Sequence, residues 1–390
     1  MWIHREIEDL LMRRAGQRPV VVLTGARQTG KTSLVKHLFP NYELVSLDLP
    51  SEAELAERDP RTFLARHPPP LVVDEVQYAP GLFRHLKTAI DARRGQNGQF
   101  ILTGSQKFPL MKSVSESLAG RTDILELEPL SWRETRRARP GLPIEEYLLR
   151  GGFPELHARP ELDADGFYRA YVATYLERDL RQLLQVTQLR DYERFLRVCA
   201  LRTGQLLNRA DLARDIGISG STAAAWLAVL QATGEIALLE PWFSNRTKSL
   251  VKTPKLYFGD CGLCAFLCGI RSAIDLFASP LAGALWETTV FGEIRRTQLN
   301  RRGGWSLHFW RDRTKEVDFL FHRGGRYDLA DAKWTEHPEA RQADNLRRVA
   351  KELPADKVDR CAVVCRADQG YPVSPSVVAM PLHELPDDWS

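Results

Sequence analysis

The chain has 390 residues, of which 44% are hydrophobic and 27% charged, and its formal net charge is +4. That length exceeds one ordinary core and predicts two or three domains, while the composition excludes general disorder. No run of about 18 uninterrupted apolar residues occurs, which excludes a helical membrane span. A charge this modest neither demands nor excludes a nucleic-acid partner. Six cysteines make no secreted disulfide framework in a chain this long, and a reducing cytoplasm fits them.

Met1 to Arg14 spreads acids and bases over an amphipathic pattern and reads as a folded helix rather than a leader. The first strong strand is Pro19-Val20-Val21-Val22-Leu23-Thr24, an apolar run of the kind buried in a parallel sheet. It leads into Gly25-Ala26-Arg27-Gln28-Thr29-Gly30-Lys31-Thr32, followed by Ser33 to Phe39 at helical spacing. All fixed positions of a P-loop are present in the strand–loop–helix context that the motif requires. Backbone N–H groups of such a loop cradle phosphate oxygens at a helix N-terminus. Gly25 through Ser33 are therefore the expected ATP-binding residues, with Lys31 reaching the β- and γ-phosphates and Thr32 ligating Mg²⁺.

Tyr42–Leu47 predicts a second strand, and Pro70-Leu71-Val72-Val73-Asp74-Glu75 a third that ends in two acids. Asp74 at the strand end is placed to hold Mg²⁺ and Glu75 to polarise the attacking water. Gln99–Ser105 predicts a fourth strand ending in small hydroxyl residues suited to sensing the γ-phosphate, and Ile124–Leu127 a fifth. Five strands separated by helices imply a three-layer α/β sandwich with the nucleotide at the strand C-termini.

Leu23 to Gln28 running into Gly30-Lys31-Thr32, with Val73-Asp74-Glu75-Val76-Gln77 and Leu102-Thr103-Gly104-Ser105, resembles AAA-type ATPases of bacteria and archaea. Ser117-Leu118-Ala119-Gly120-Arg121 and Arg150-Gly151-Gly152-Phe153-Pro154-Glu155 narrow the resemblance to the group with a C-terminal domain long labelled as of unknown function. The resemblance covers nearly the whole chain. It implies a sensor role for Ser105 and makes Arg121 a candidate arginine finger, acting within the subunit or on a neighbour in an oligomer.

Residues 131–185 read as a helical lid or linker. Arg209–Ile218, a glycine turn and the serine cap Ser219 lead into Thr222–Leu230, a helix-turn-helix, with Ile236–Leu239 and Lys255–Phe258 as strands of a wing in a winged-helix segment, 186–270. No Lys or Arg lies between Ser219 and Glu235, so the second helix lacks the side chains that read bases. Arg246, Lys248, Lys252 and Lys255 can bind phosphates without reading sequence; a protein-packing role for the segment stands beside that reading. Cys261, Cys264, Cys268, Cys361 and Cys365 sit among apolar residues and read as small hydrophobes rather than metal ligands.

In the last third, Leu285–Ile294 predicts a helix carrying Glu287 and Glu293, followed by strands at Ser306–Trp310, Glu316–Phe321, Tyr327–Lys333 and Arg360–Val364. Residues two apart on a strand share a face, so Asp331 and Lys333 pair and approach Asp318 across the hairpin. Two carboxylates and a lysine on one sheet face suit metal-dependent phosphodiester cleavage, with Asp318 and Asp331 holding Mg²⁺. The set resembles the restriction-endonuclease-like fold, which implies an upstream helical glutamate, here Glu287; an active nuclease and an inactive nuclease-like module both fit.

The expected protein is a cytoplasmic Mg-dependent ATPase with an α/β P-loop domain at 1–130, a winged-helix segment, and a restriction-endonuclease-like α/β domain at 271–390. Its ATP cycle is expected to couple to DNA binding or processing, through non-specific backbone contacts. The alternative is a regulatory switch acting on a protein partner.

Overall fold

Val20–Thr24 is apolar along its length because both of its faces are covered. In the computed structural model, which describes residues 2–105, 117–175, 189–243, 253–301 and 304–389, it is the first strand, β1, of a five-stranded sheet. The others are β2 (Glu43–Ser46), β3 (Leu71–Asp74), β4 (Phe100–Gly104) and β5 (Thr122–Glu126), in the order β2-β3-β4-β1-β5. Every pairing in it is parallel. Alternation along the strands divides the core in two. Val20, Val22, Val73 and Leu102 pack with Phe63, Phe83 and Leu86 on one face. Val21, Leu23, Val72 and Ile101 pack with Leu10, Leu11, Leu34 and Val35 on the other. The result is the three-layer α/β sandwich that the spacing predicts, with the helices Glu8–Ala15 and Lys31–Leu38 on the second face.

The chain divides into two compact units, one of Trp2–Pro129 with Ala232–Gly234, the other of Leu130–Gln231 with Glu235–Ser390. In the second unit the helices Arg209–Ile216 and Gly220–Ala232 are joined by a turn through Gly217, which takes the left-handed φ of 80° that glycine tolerates. Asn208 caps the first helix by accepting from the N–H groups of Ala210 and Asp211, and Ser219 accepts from Thr222 N ahead of the second. A three-stranded antiparallel sheet follows, in the order β6 (Gln205–Leu206), β8 (Lys255–Phe258), β7 (Ile236–Leu239).

A six-stranded mixed sheet completes the unit, built from β9 (Ser306–Arg311), β10 (Glu316–Arg323), β11 (Arg326–Ala332), β12 (Val358–Cys365), β13 (Tyr371–Ser374) and β14 (Val377–Pro381), in the order β13-β14-β12-β11-β10-β9. The helix Ala282–Arg301 covers one face through Leu285, Trp286, Val290 and Ile294. The helix Asp344–Ala350 covers the other through Leu346 and Val349. A single apolar cluster contains residues from Trp132 to Trp389, so the segments anticipated behind residue 130 share one core.

Candidate functional site: the P-loop and a second acidic cluster

The P-loop leaves β1 at Gly25, whose φ of 151° and packing leave no room for a side chain; a Cβ there would meet Leu127 O at 2.1 Å. Gly30, at φ 91°, starts the helix that carries Lys31 and Thr32. Lys31 is buried and donates from Nζ to Gly25 O at 3.0 Å and Ala26 O at 2.8 Å. Thr29 donates to Ala26 O at 3.0 Å, closing the loop. Arg5 also belongs to this site. Its buried guanidinium donates to Thr29 O at 2.9 Å and Glu128 O at 2.7 Å, which fixes the loop from outside. No local pattern announces it, because its partners lie far along the chain.

Asp74 ends β3 beside the loop. Both of its carboxylate oxygens accept from Thr32 Oγ at 3.0 Å, and one also accepts from the buried Thr103 hydroxyl of β4. Glu75 follows at a left-handed φ of 56°. Its Oε2 accepts from Ser105 Oγ at 3.0 Å and from Gln77 Nε2, while its backbone N–H donates to Thr103 Oγ. Gln28, at φ 60°, and Glu75 are the non-glycine residues with positive φ among those described, and both belong to this site. Such a conformation costs about 1–3 kcal/mol and persists where the surroundings enforce it.

The structure thus gathers Lys31, Thr32, Asp74, Glu75 and Ser105 and leaves Arg121 elsewhere. Arg121 precedes β5, and its carbonyl accepts from Val20 N at the start of β1. It lies at the N-terminal edge of a parallel sheet whose C-terminal edge carries the P-loop, roughly 20 Å away at strand rise. Its guanidinium holds Asp91 at 2.8 and 3.0 Å. An action of Arg121 on nucleotide within its own subunit is therefore corrected: the strand direction forbids it.

A second cluster forms in the other unit. Glu287 from the helix Ala282–Arg301, Glu316 and Asp318 from β10, Asp331 from β11 and Lys333 just beyond it converge there. Lys333 Nζ lies 3.5 Å from Asp318 Oδ2 and 3.8 Å from Asp331 Oδ2. Regular pairing of β10 with β11 ends at Phe319 and Ala330, and the two aspartates replace the ladder beyond it. Asp331 Oδ1 accepts from Asp318 N, and Asp318 Oδ2 from Ala332 N, both at 3.0 Å. Glu293, the other acid of the helix, instead caps residues 132–138 by accepting from Trp132 N at 2.7 Å and Arg133 N at 3.3 Å.

At the centre of the cluster sits Lys255 of β8, anticipated as a surface phosphate contact. That expectation is corrected: the residue is 2% exposed, and its Nζ lies 2.8 Å from Glu287, 2.7 Å from Glu316 and 3.2 Å from Asp318. Arg246, Lys248 and Lys252 lie outside the described residues. Burial opposes the Lys255 charge, yet Asp318, Glu287 and Glu316 raise its pKa above the usual lysine range. Burial and the neighbouring Asp318 push Glu287 and Asp331 each up to about 7. Tyr257 donates to Glu287 at 2.5 Å. The oxygens a divalent metal would use are thus engaged by an ammonium and by backbone N–H groups, and as arranged the residues do not fit the metal.

Comparison with known proteins assigns each stretch. Residues 17–136 match a family described as an AAA domain. Residues 142–273 and 282–385 match two families described as domains of unknown function, DUF8612 and DUF4143. The proteins Mb2031c of Mycobacterium bovis and Rv2008c of Mycobacterium tuberculosis are each 31% identical over 389 residues, 99% of this chain and 85% of theirs. Among solved structures, a Walker-type ATPase of Pyrococcus abyssi aligns at 17% identity and a TM-score of 0.46, over 68% of this chain and 96% of that one. A signal-transduction ATPase with a tetratricopeptide-repeat sensor from Pyrococcus horikoshii aligns at 16% and 0.30, over 77% and 48%. No helix among the described residues is long and apolar enough to cross a membrane. With the P-loop geometry, the AAA-domain match identifies an ATPase, and the chain belongs to the family of the mycobacterial proteins Mb2031c and Rv2008c.

Proposed function

We propose that this ATPase is a nucleotide-driven switch, whose ATP state controls the association of its second unit with a protein partner. The observation that carries the choice is Lys255 within the acidic cluster, which argues against a cutting role for that unit.

On this reading the loop N–H groups from Gly25 to Ser33 bind the phosphates. Lys31 exchanges its contacts with Gly25 O and Ala26 O for the β- and γ-phosphate oxygens. Thr32 and Asp74, already in contact, fit Mg²⁺, which when bound neutralises charge on those oxygens. Glu75 accepts a proton from the attacking water. Ser105 and Gln77 hold its carboxylate in place and report whether a γ-phosphate is present. Arg121 acts on a neighbouring copy.

The second unit is read as a lid at 131–185, a winged-helix segment at 186–270 and a restriction-endonuclease-like domain at 271–390. Its mixed sheet, with Asp318, Asp331 and Lys333 on neighbouring central strands, supports the fold. The described residues include buried free cysteines, which suits a reducing cytoplasm.

A second reading, coupling of ATP turnover to DNA, is favoured by the helix pair and the antiparallel sheet beside it. One experiment separates the two: steady-state ATP hydrolysis by wild type and Lys31→Ala, with and without double-stranded DNA, alongside light scattering with and without ATP. A Lys31-dependent rate indifferent to DNA, with a mass that changes with nucleotide, supports the switch. Several-fold stimulation by DNA overturns it in favour of the second reading.

A further inference from the structure

Lys255 is held where it is from two directions. Its backbone lies in the central strand of the three-stranded sheet, opposite Leu206 on one side and Leu239 on the other. Its side chain is buried, with the ammonium 5.6 Å above the Phe309 ring. A buried amine in apolar surroundings tends to lose its proton. Here three carboxylates from two elements surround it instead, and each supplies an oxygen at hydrogen-bonding distance.

The carboxylates outnumber what Lys255 alone would need. Glu287, Glu316, Asp318 and Asp331 face Lys255 and Lys333, with Arg311 touching Glu316 from outside at 3.2 Å. Four acids gathered in a protein interior repel one another and cost far more than they return unless a cation is at their centre. Mg²⁺ or Mn²⁺ would need its oxygens at about 2.0–2.2 Å, a shell whose middle is already taken by Nζ. The ammonium and a divalent ion cannot share that position, by volume or by charge.

We propose that Lys255 is the resident cation of this cluster, so that the chain as encoded holds no divalent metal there but carries a latent metal site that a single substitution opens. Removal of the amine leaves the carboxylates of Glu287, Glu316 and Asp318 around a space of one side chain, a donor set that suits a hard cation. The inference shares its observation with the proposed function but not its test, since metal at this cluster is read without reference to ATP turnover or to DNA.

The experiment compares full-length wild type with Lys255→Ala, free of nucleotide, using two probes. Thermal melting is followed with and without Mn²⁺. Fe²⁺ with ascorbate then cuts the backbone beside any bound ion, and peptide masses locate the cuts. Wild type is expected to show no cleavage near Glu287 or between Glu316 and Lys333, and a melting temperature indifferent to Mn²⁺. Lys255→Ala is expected to melt lower, to recover on adding Mn²⁺, and to be cut at both stretches; its Mn²⁺ affinity should be at least roughly tenfold above that of wild type. Adding Asp318→Asn should abolish the recovery. Should Lys255→Ala fail to fold, the wild-type map still decides: cleavage at the cluster in wild type overturns the proposal, and its absence supports it. A folded Lys255→Ala that neither binds Mn²⁺ nor is cut there also overturns it.

Discussion

Glu75 illustrates how one side chain of the site is held by two others. Its φ of 56° aims the side chain back toward β4, where Ser105 donates to it at 3.0 Å and Gln77 adds a second donor. Removing its ability to accept a proton while keeping its shape, as in Glu75→Gln, should lower kcat for ATP on the order of 10²–10⁴-fold with nucleotide binding retained; single-turnover kinetics and a fluorescent-nucleotide titration check both halves. Ser105→Ala should reduce kcat by a smaller factor, because Gln77 still holds the carboxylate. Gly25 permits no replacement. Gly25→Ala forces a methyl group into Leu127 O, and nucleotide binding should be lost while Lys31→Ala, measured in parallel, remains folded. At this scale the sequence was legible wherever the chemistry is local: eight consecutive residues spell the P-loop, and two acids end a strand. Gln77 and Arg5 have no role legible in the sequence, because their contacts with Glu75 and Thr29 depend on tertiary neighbours that no short pattern encodes.

At the scale of elements, strands and helices with strong periodicity lie within a few residues of where the spacing predicts them, and the helix pair at 209–232 follows from its caps. The strands β6, β13 and β14 escaped the reading. The first has two residues, and Pro372 interrupts the β-pattern of the second, as an edge strand allows. Two polar anchors carry measurable weight. Arg5 holds the P-loop from the N-terminal segment through charged hydrogen bonds to two carbonyls. Arg5→Ala should raise KM for ATP several-fold and cost about 2–3 kcal/mol of stability, read from ATPase kinetics and denaturant unfolding of the same preparation. Glu293 caps the helix at 132–138 with a buried carboxylate. Glu293→Ala should destabilise the second unit by about 1–3 kcal/mol and leave the P-loop contacts of the first untouched, so nucleotide affinity should not move.

For the whole molecule, the direction of a parallel sheet settles what a sequence motif cannot. Arg121 is close in sequence to Ser105, yet the two belong to opposite ends of the strands. Arg121→Ala should therefore leave the hydrolysis rate of dilute, monomeric protein unchanged; a loss confined to concentrations at which copies associate would assign it to a neighbouring site. The buried position of Lys255 was equally illegible, since nothing in its local sequence distinguishes it from an exposed basic residue.

The last point concerns Trp389. It is buried, stacks on Phe321 with ring centres 4.4 Å apart, and donates from its indole to Asp328 at 2.7 Å. The apolar cluster that begins at Trp132 is thus finished by a side chain more than 250 positions later. During synthesis the five strands of the first sheet, all before residue 127, emerge early, but the second core lacks its final piece until Trp389 has left the ribosome. Until then that half of the protein displays unfinished apolar surface, the state in which chains are most prone to aggregate and most in need of chaperones.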